Sequence, residues 1–137
     1  MLKEFNIIKI ILLFIIPYIT LYAIYIQLNG EVSPGGGFQA GVIFATGLIA
    51  YDLVSGKEAL ENHFTIKSLT ICGVLGVLIY ASTGLISLIM GAEFLNYSVL
   101  LKNNIAGQHL GIFMIELGVG LTVSSIMCLI YTLLREE

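Results

Sequence analysis

The chain has 137 residues, of which 58% are hydrophobic and 11% charged, and its formal net charge is −3. Soluble domains carry about 25% charged residues, and a chain this short has no core large enough to hide so much apolar surface. A mean hydropathy of +0.99 therefore makes lipid part of the solvent, and the mildly acidic balance carries no nucleic-acid signature.

Four apolar runs have spanning length: Ile7–Leu28, Phe38–Val54, Ile66–Met90 and Gly107–Leu134. The second is short and lengthens if the glycines before it are counted. A spanning helix needs about 20 such residues, whereas barrel strands are shorter and alternate polar with apolar. The expected fold is all-α: an integral membrane protein with four transmembrane helices over approximate spans 7–28, 35–54, 66–90 and 107–134, forming one domain across 1–137. The first run is too long for a signal-peptide core and has no small-x-small site after it. It is read as a helix, with Pro17 as a candidate kink.

With four spans, the N-terminus, the 55–65 loop and the C-terminus share one side. That side holds Lys3, Lys9, Lys57, Lys67 and Arg135, against Lys102 alone on the other. The positive-inside rule then makes both termini cytoplasmic. The loop "SGKEALENHFTIK" reads as a solvated connector, although it holds Glu58, Glu61 and His63. The opposite loop, "GAEFLNYSVLLKNNIAG", mixes Phe94, Leu95, Tyr97, Val99 and Leu100 with Glu93 and Lys102. That mixture suits a segment lying at the membrane surface or against a neighbour. Cys72 and Cys128 are single, without CxxC spacing, and read as small packed residues; no metal site or cofactor motif is expected.

The stretch "SPGGGFQAGVIFATG", residues 33–47, places three glycines at a helix start. Ser33 is a suitable N-cap and Pro34 a suitable first helical residue, so Gly35, Gly36 and Gly37 are expected to form the first turn. The amide groups of that turn have no partner within the helix. With no side chains in the way, a helix, expected to be one of another subunit, or an ion can approach them closely. "GGGFQA" also fits a dinucleotide-binding pattern, but no strand precedes it and no soluble βαβ unit surrounds it. Gly37, Gly41 and Ala45 continue at four-residue spacing, which serves either close helix packing or a part in an ion path.

Glu116, in "GIFMIELGVG", lies well inside the fourth span. A charge at mid-membrane costs about 2.5–3.5 kcal/mol on insertion scales, so this carboxyl should face protein or water. It reads as an ion- or proton-handling group or as a buried contact to a partner helix. His109 lies seven residues earlier, on the same face and about 10 Å away. It reads as a wet interfacial histidine, with a proton relay as the alternative. Gly107, Gly111 and Gly118 are expected to share that side. Asp52 reads as an ordinary charged helix end at the headgroups, and Gln39 as a group reaching the outer polar region. Thr83 and Ser87, one turn apart, suit a bond across helices or back to their own backbone.

"SPGGGFQAGVI" resembles the signature of the MnhB/MrpB family, small membrane subunits of Mrp-type multisubunit cation/proton antiporters. "GQHLGIFMIELGVGLTV" is similar to that family's last helix, and the resemblance covers about residues 10 to 134. It implies an accessory subunit, with no reaction or cofactor of its own, in a prokaryotic cell-membrane complex. That complex exchanges sodium for protons, and its large subunits look like the proton-pumping subunits of respiratory complex I. The resemblance supports Pro34, Gly35, Gly36, Gly37, Phe38, Gln39 and Gly41, and Glu116 in the last helix, as ion-path or subunit-interface residues, beside His109. Two departures stand out: Asn29 and Glu31 where the family commonly has histidine, and Ala40 where glycine is frequent. The competing readings are a structural subunit of a related hydrogenase or complex-I-like assembly, and a stand-alone homo-oligomeric small transporter. The first span lacks the membrane-embedded glutamate on which small multidrug exporters depend.

Overall fold

A computed structural model describes residues 2–31, 34–56, 59–60 and 63–136. The described residues form four α-helices, α1 (Leu2–Leu28), α2 (Gly37–Ser55), α3 (Ile66–Ile89) and α4 (Asn104–Glu136), with one 3₁₀ turn, Tyr97–Val99. All four helices are long and apolar enough to cross a membrane, and no strand occurs among the described residues. The large residues that remain exposed are those of lipid-facing surfaces, such as Ile10, Phe14, Val74 and Ile89.

Helix order in space differs from chain order. Helix α2 packs on α1 and on α4, and α4 packs on α3, while α2 and α3 do not touch. The row is therefore α1–α2–α4–α3, with the longest helix, α4, carrying a neighbour on each of two faces. We call the end holding both chain termini and the α2–α3 connection the terminal end, and the other the distal end.

Each seam is built by removing side chains. Between α2 and α4, a Cβ on Gly41 would lie 2.8 Å from Gly120 O and 2.9 Å from Val123 Cβ. Between α3 and α4, a Cβ on Gly76 would lie 2.6 Å from Gly118 O, and one on Gly118 would lie 2.8 Å from Gly76 O. The Thr122 hydroxyl adds a bond across this seam to Gly73 O at 3.3 Å. Between α1 and α2, Gly47 receives Thr20 Cγ2. Thr83 and Ser87 bond back to the carbonyls of Ile79 and Thr83. Helix α1 continues through Pro17, where the Thr20 hydroxyl donates to the Pro17 carbonyl at 2.8 Å.

The connections are less loose than the sequence suggests. At the terminal end Leu60, in the expected solvated connector, is buried with Ala45, Leu69 and Cys128. At the distal end Tyr97 lies against Gly111 of α4, and Phe94 against Gly84 of α3. The glycines of α4 do not share one side with Glu116: Gly107 and Gly111 meet the 97–101 segment and Gly118 meets α3. Two residues turn a helix by about 200°, so Gly118 and Glu116 look in nearly opposite directions.

Because main-chain atoms, which cannot swing aside, oppose Gly41 and Gly76, Gly41→Leu and Gly76→Leu should each destabilise the fold by about 1–3 kcal/mol or more. Thermal unfolding in detergent checks this, with Val74→Leu on the lipid face leaving the midpoint unchanged. Tyr97 gives a pH-dependent counterpart. Burial against α4, and secondly the Tyr80 phenol, push its pKa above the ordinary tyrosine range. Its contribution is then fully present below the unfolded value of about 10 and is lost as pH rises through the raised folded value. Tyr97→Phe should make the alkaline loss of thermal stability above pH ~10 less steep; identical slopes would refute this.

Candidate functional site

Glu116 projects from α4 into the turn that joins α1 to α2. A Cβ on Gly30 would overlap its carboxylate, and one on Gly36 would stand 3.2 Å from its Oε1. Gly37, the first residue of α2, rests directly on the Glu116 main-chain carbonyl. Bare backbone thus encloses this one residue at both its side chain and its main chain.

Glu116 and the Gly30 and Gly36 backbone that it meets stand twelve residues from Asn104, the distal end of α4, a rise of about 18 Å.

Two polar groups lie further toward the distal end. His109 Nδ1 and Glu31 Oε2 are 2.6 Å apart, tying α4 to the turn above Glu116. Their side chains are 63% and 26% exposed, so this pair contributes little to stability, about 0.2–1 kcal/mol. Below Glu116, Gln27 of α1 reaches α4, and a Cβ on Gly120 would overlap its Oε1. The Gln27 Nε2 is buried and meets no acceptor among the described residues, a condition that costs about 1–3 kcal/mol. A crevice of about 240 Å³ opens beside it between α1, α2 and α4, with Ala40, Gly41, Gly120 and Ser124 in its walls.

The terminal end of the same α2–α4 seam holds a second carboxylate. Asp52 is 2% exposed, the one buried charged residue among those described. Its Oδ1 accepts from Leu60 N at 2.7 Å, and its Oδ2 accepts from the Tyr131 hydroxyl at 2.8 Å and from Arg135 Nη1. Arg135 also lies over the Tyr131 ring, 5.8 Å from its centroid. Asp52 is therefore not a headgroup charge: α2, the connector and α4 converge on it.

The sequence profile of a domain related to the MnhB subunit of the Na+/H+ antiporter matches residues 7–129. The chain belongs to the MnhB family. It is 30% identical over 119 residues to the Na+/H+ antiporter B-subunit of Bacillus subtilis (strain 168), covering 77% of this chain and 80% of that protein. It is 29% identical over 116 residues to the protein of the same name from Alkalihalophilus pseudofirmus (strain ATCC BAA-2126 / JCM 17055 / OF4), covering 74% and 77%. Like other MnhB-type chains it is a component of a transport system, and its four helices make it a multi-pass membrane protein.

Within this MnhB chain the motif residues separate into two groups. Gly36, Gly37 and Gly41 face α4, and the first two meet Glu116. Pro34, Phe38 and Gln39 are exposed, Phe38 at 63%, and take no part in that contact. The helix begins later than its capping residues suggest: Ser33 lies outside the described residues, Pro34 and Gly35 precede the helix, and Gly36 occupies the N-cap. Gly35 has φ +147, a backbone angle that side-chain-bearing residues rarely adopt. The close neighbour of the glycine run is this chain's own α4, where a helix of another subunit was expected. Among the described residues no three His, Cys, Asp or Glu side chains gather as a metal site. Sequence reasoning missed Gly30, Gln27 and the Asp52 cluster; the single acid in apolar α2 was the available signal for the last.

Removing Asp52 takes the shared acceptor away from the Leu60 amide, the Tyr131 hydroxyl and Arg135, so Asp52→Ala should cost about 3–5 kcal/mol, as for other broken buried pairs. Thermal unfolding in detergent, with Asp52→Ala, Arg135→Met and the double variant, measures the coupling. A double variant as damaged as the sum of the singles would refute it.

Proposed function

We propose that this chain is an accessory membrane subunit of a multisubunit Na+/H+ antiporter and that Glu116 is its functional carboxylate. Membership of the MnhB family supports the first part. The second is supported by one observation: Glu116 directs its carboxylate at bare glycine backbone of the α1–α2 turn, against Gly30 and Gly36, with no side chain of those residues over it. Its partners on this reading are the other subunits of the complex, including large complex-I-like subunits, together with membrane lipid. The chain sits in a prokaryotic cell membrane with both termini cytoplasmic, so Glu116 lies toward the outer side. Lys9, Lys67 and Arg135 at the terminal end favour that orientation.

In mechanism, a carboxyl held against bare backbone exchanges a proton or a hydrated cation with the outside, while the large subunits carry out the main proton movement. The chain transforms no covalent bond and needs no cofactor for this role. The bare backbone at Gly30, Gly36 and Gly37 keeps the carboxyl free of side-chain cover and adds main-chain dipoles around an entering ion.

Glu116→Gln keeps the shape of the side chain and removes its ionisation. It should leave the complex assembled and lower sodium/proton exchange in membrane vesicles by about tenfold. Unchanged exchange in an intact complex would reduce the chain to a structural role. Tagged chain extracted in mild detergent should bring the large subunits with it; recovery of its own copies alone would favour a homo-oligomeric transporter instead.

A further inference from the structure

Tyr18, Tyr22 and Tyr25 follow one another at spacings of four and three residues along α1, which puts them on one face of the helix. They are 58%, 57% and 55% exposed. The Tyr22 and Tyr25 rings stack, with 6.4 Å between centroids and 16° between planes. We propose that this face is an interaction surface for a membrane-spanning helix of another subunit, one whose side chains accept hydrogen bonds from the three phenols. The proposal rests on the reading of the chain as an accessory subunit and makes no use of Glu116.

Depth sets these residues apart. Tyrosines of membrane proteins gather at the two interfaces, where the ring meets lipid and the hydroxyl meets water. These three stand inside the layer. Gln27 of α1 meets Gly120, at the middle of the apolar run Gly107–Leu134 of α4. Counted from that level, Tyr25, Tyr22 and Tyr18 lie about 3, 8 and 14 Å toward the terminal end. Counted instead from the middle of the apolar run of α1, Ile7–Leu28, all three lie within about 11 Å. The hydrocarbon layer reaches about 15 Å to either side of its midplane, so both counts keep the three rings within it.

A phenol at that depth calls for an acceptor, because lipid tails supply none and an unpaired hydroxyl there is costly. Tyr131 meets the same need inside this chain, donating to Asp52 Oδ2 at 2.8 Å. Among the described residues the hydroxyls of Tyr18, Tyr22 and Tyr25 make no hydrogen bond. Hydrogen bonds between polar side chains join helices in membranes, and a helix laid along this stripe would bring acceptors to all three. On one flank the stripe continues through Ile24 and Leu28 into the crevice between α1, α2 and α4. Apart from Gln27 and Ser124, the side chains of that crevice are apolar, and they offer a seat for the apolar side chains of the same helix. The surface thus pairs hydrogen-bond donors with an apolar groove, the two features that a neighbouring protein helix satisfies together and a lipid tail does not.

The test uses the complex assembled in native membranes, with Tyr22 and Tyr25 replaced one at a time by the photoreactive p-benzoylphenylalanine. Illumination should join each position to another antiporter subunit. Mass spectrometry of the cross-linked peptide should identify a membrane-spanning segment that bears a hydroxyl, carboxamide or carboxyl side chain. Adducts with lipid alone, with a second copy of this chain, or with a segment bearing no such group overturn the proposal. Separately, Tyr18→Phe, Tyr22→Phe and Tyr25→Phe keep the rings and remove only the hydroxyls. Each should raise the dissociation constant of this chain from the detergent-purified complex about threefold, the size expected for one hydrogen bond between membrane helices. An unchanged constant in the triple variant also overturns the proposal. If the tagged chain brings down no other antiporter subunit, the accessory-subunit reading fails. If those subunits come down while positions 22 and 25 meet only lipid, this surface alone fails.

Discussion

The close approach of main chain to main chain along α4 is the contact on which the rest of the structure depends. In a membrane, helices gain little from hiding apolar side chains, because lipid tails are equally apolar. What remains is packing, and packing improves as backbones draw together. Gly37, Gly41 and Gly120 bring α2 in on one side of α4; Gly76 and Gly118 bring α3 in on the other. Each glycine inside a helix costs about 1 kcal/mol of intrinsic propensity relative to alanine. That cost is accepted on two faces of a single helix, which explains why α4 is central although it comes last in the chain. Helix α1 joins through Thr20 on Gly47 and the buried Ile16, Ala23 and Ile26, and presents the rest of its surface outward.

The α2–α4 seam carries a carboxylate near each end, and the two are treated in opposite ways. Asp52 accepts from a backbone amide, a phenol and a guanidinium, so its charge is fully compensated inside protein. Such a cluster fixes geometry: it holds the C-terminal turns of α2 and α4 together and seats Leu60 over the bottom of the core. Glu116 has no cation on it among the described residues; its neighbours are glycines, with Glu31 and His109 paired above it. One acid is closed into a structural joint and the other is left available. That asymmetry along one seam separates a residue that holds the fold from one that uses it.

The four helices were legible in the sequence because apolar runs of spanning length have few alternative explanations. The order of the helices in space was not, since nothing in their periodicity distinguishes the face of α4 that meets α2 from the face that meets α3. The start of α2 was misplaced for a specific reason. Ser33 and Pro34 carry good local capping chemistry, yet the start is set at Gly37 by contact with the Glu116 carbonyl, a tertiary effect. Asp52 was misjudged similarly, because a lone acid near a helix end looks the same whether water or an arginine satisfies it. Its partners lie 79 and 83 residues away. Glu116 and the glycine run were each visible as unusual, and both could be placed at one outer vestibule if their helices were neighbours; the adjacency itself was not in the sequence.

The shortness of α2 acquires a meaning in this arrangement. With 19 residues it is the shortest of the four helices, about 28 Å at helical rise, barely the thickness of the hydrocarbon layer. A longer α2 would run past Glu116 and put helix where the Gly30 and Gly36 backbone now meets its carboxyl. Gly36, Gly37 and Glu116 are therefore parts of one feature: with no side chains there, the start of α2 stands directly on the α4 main chain and beside its carboxyl.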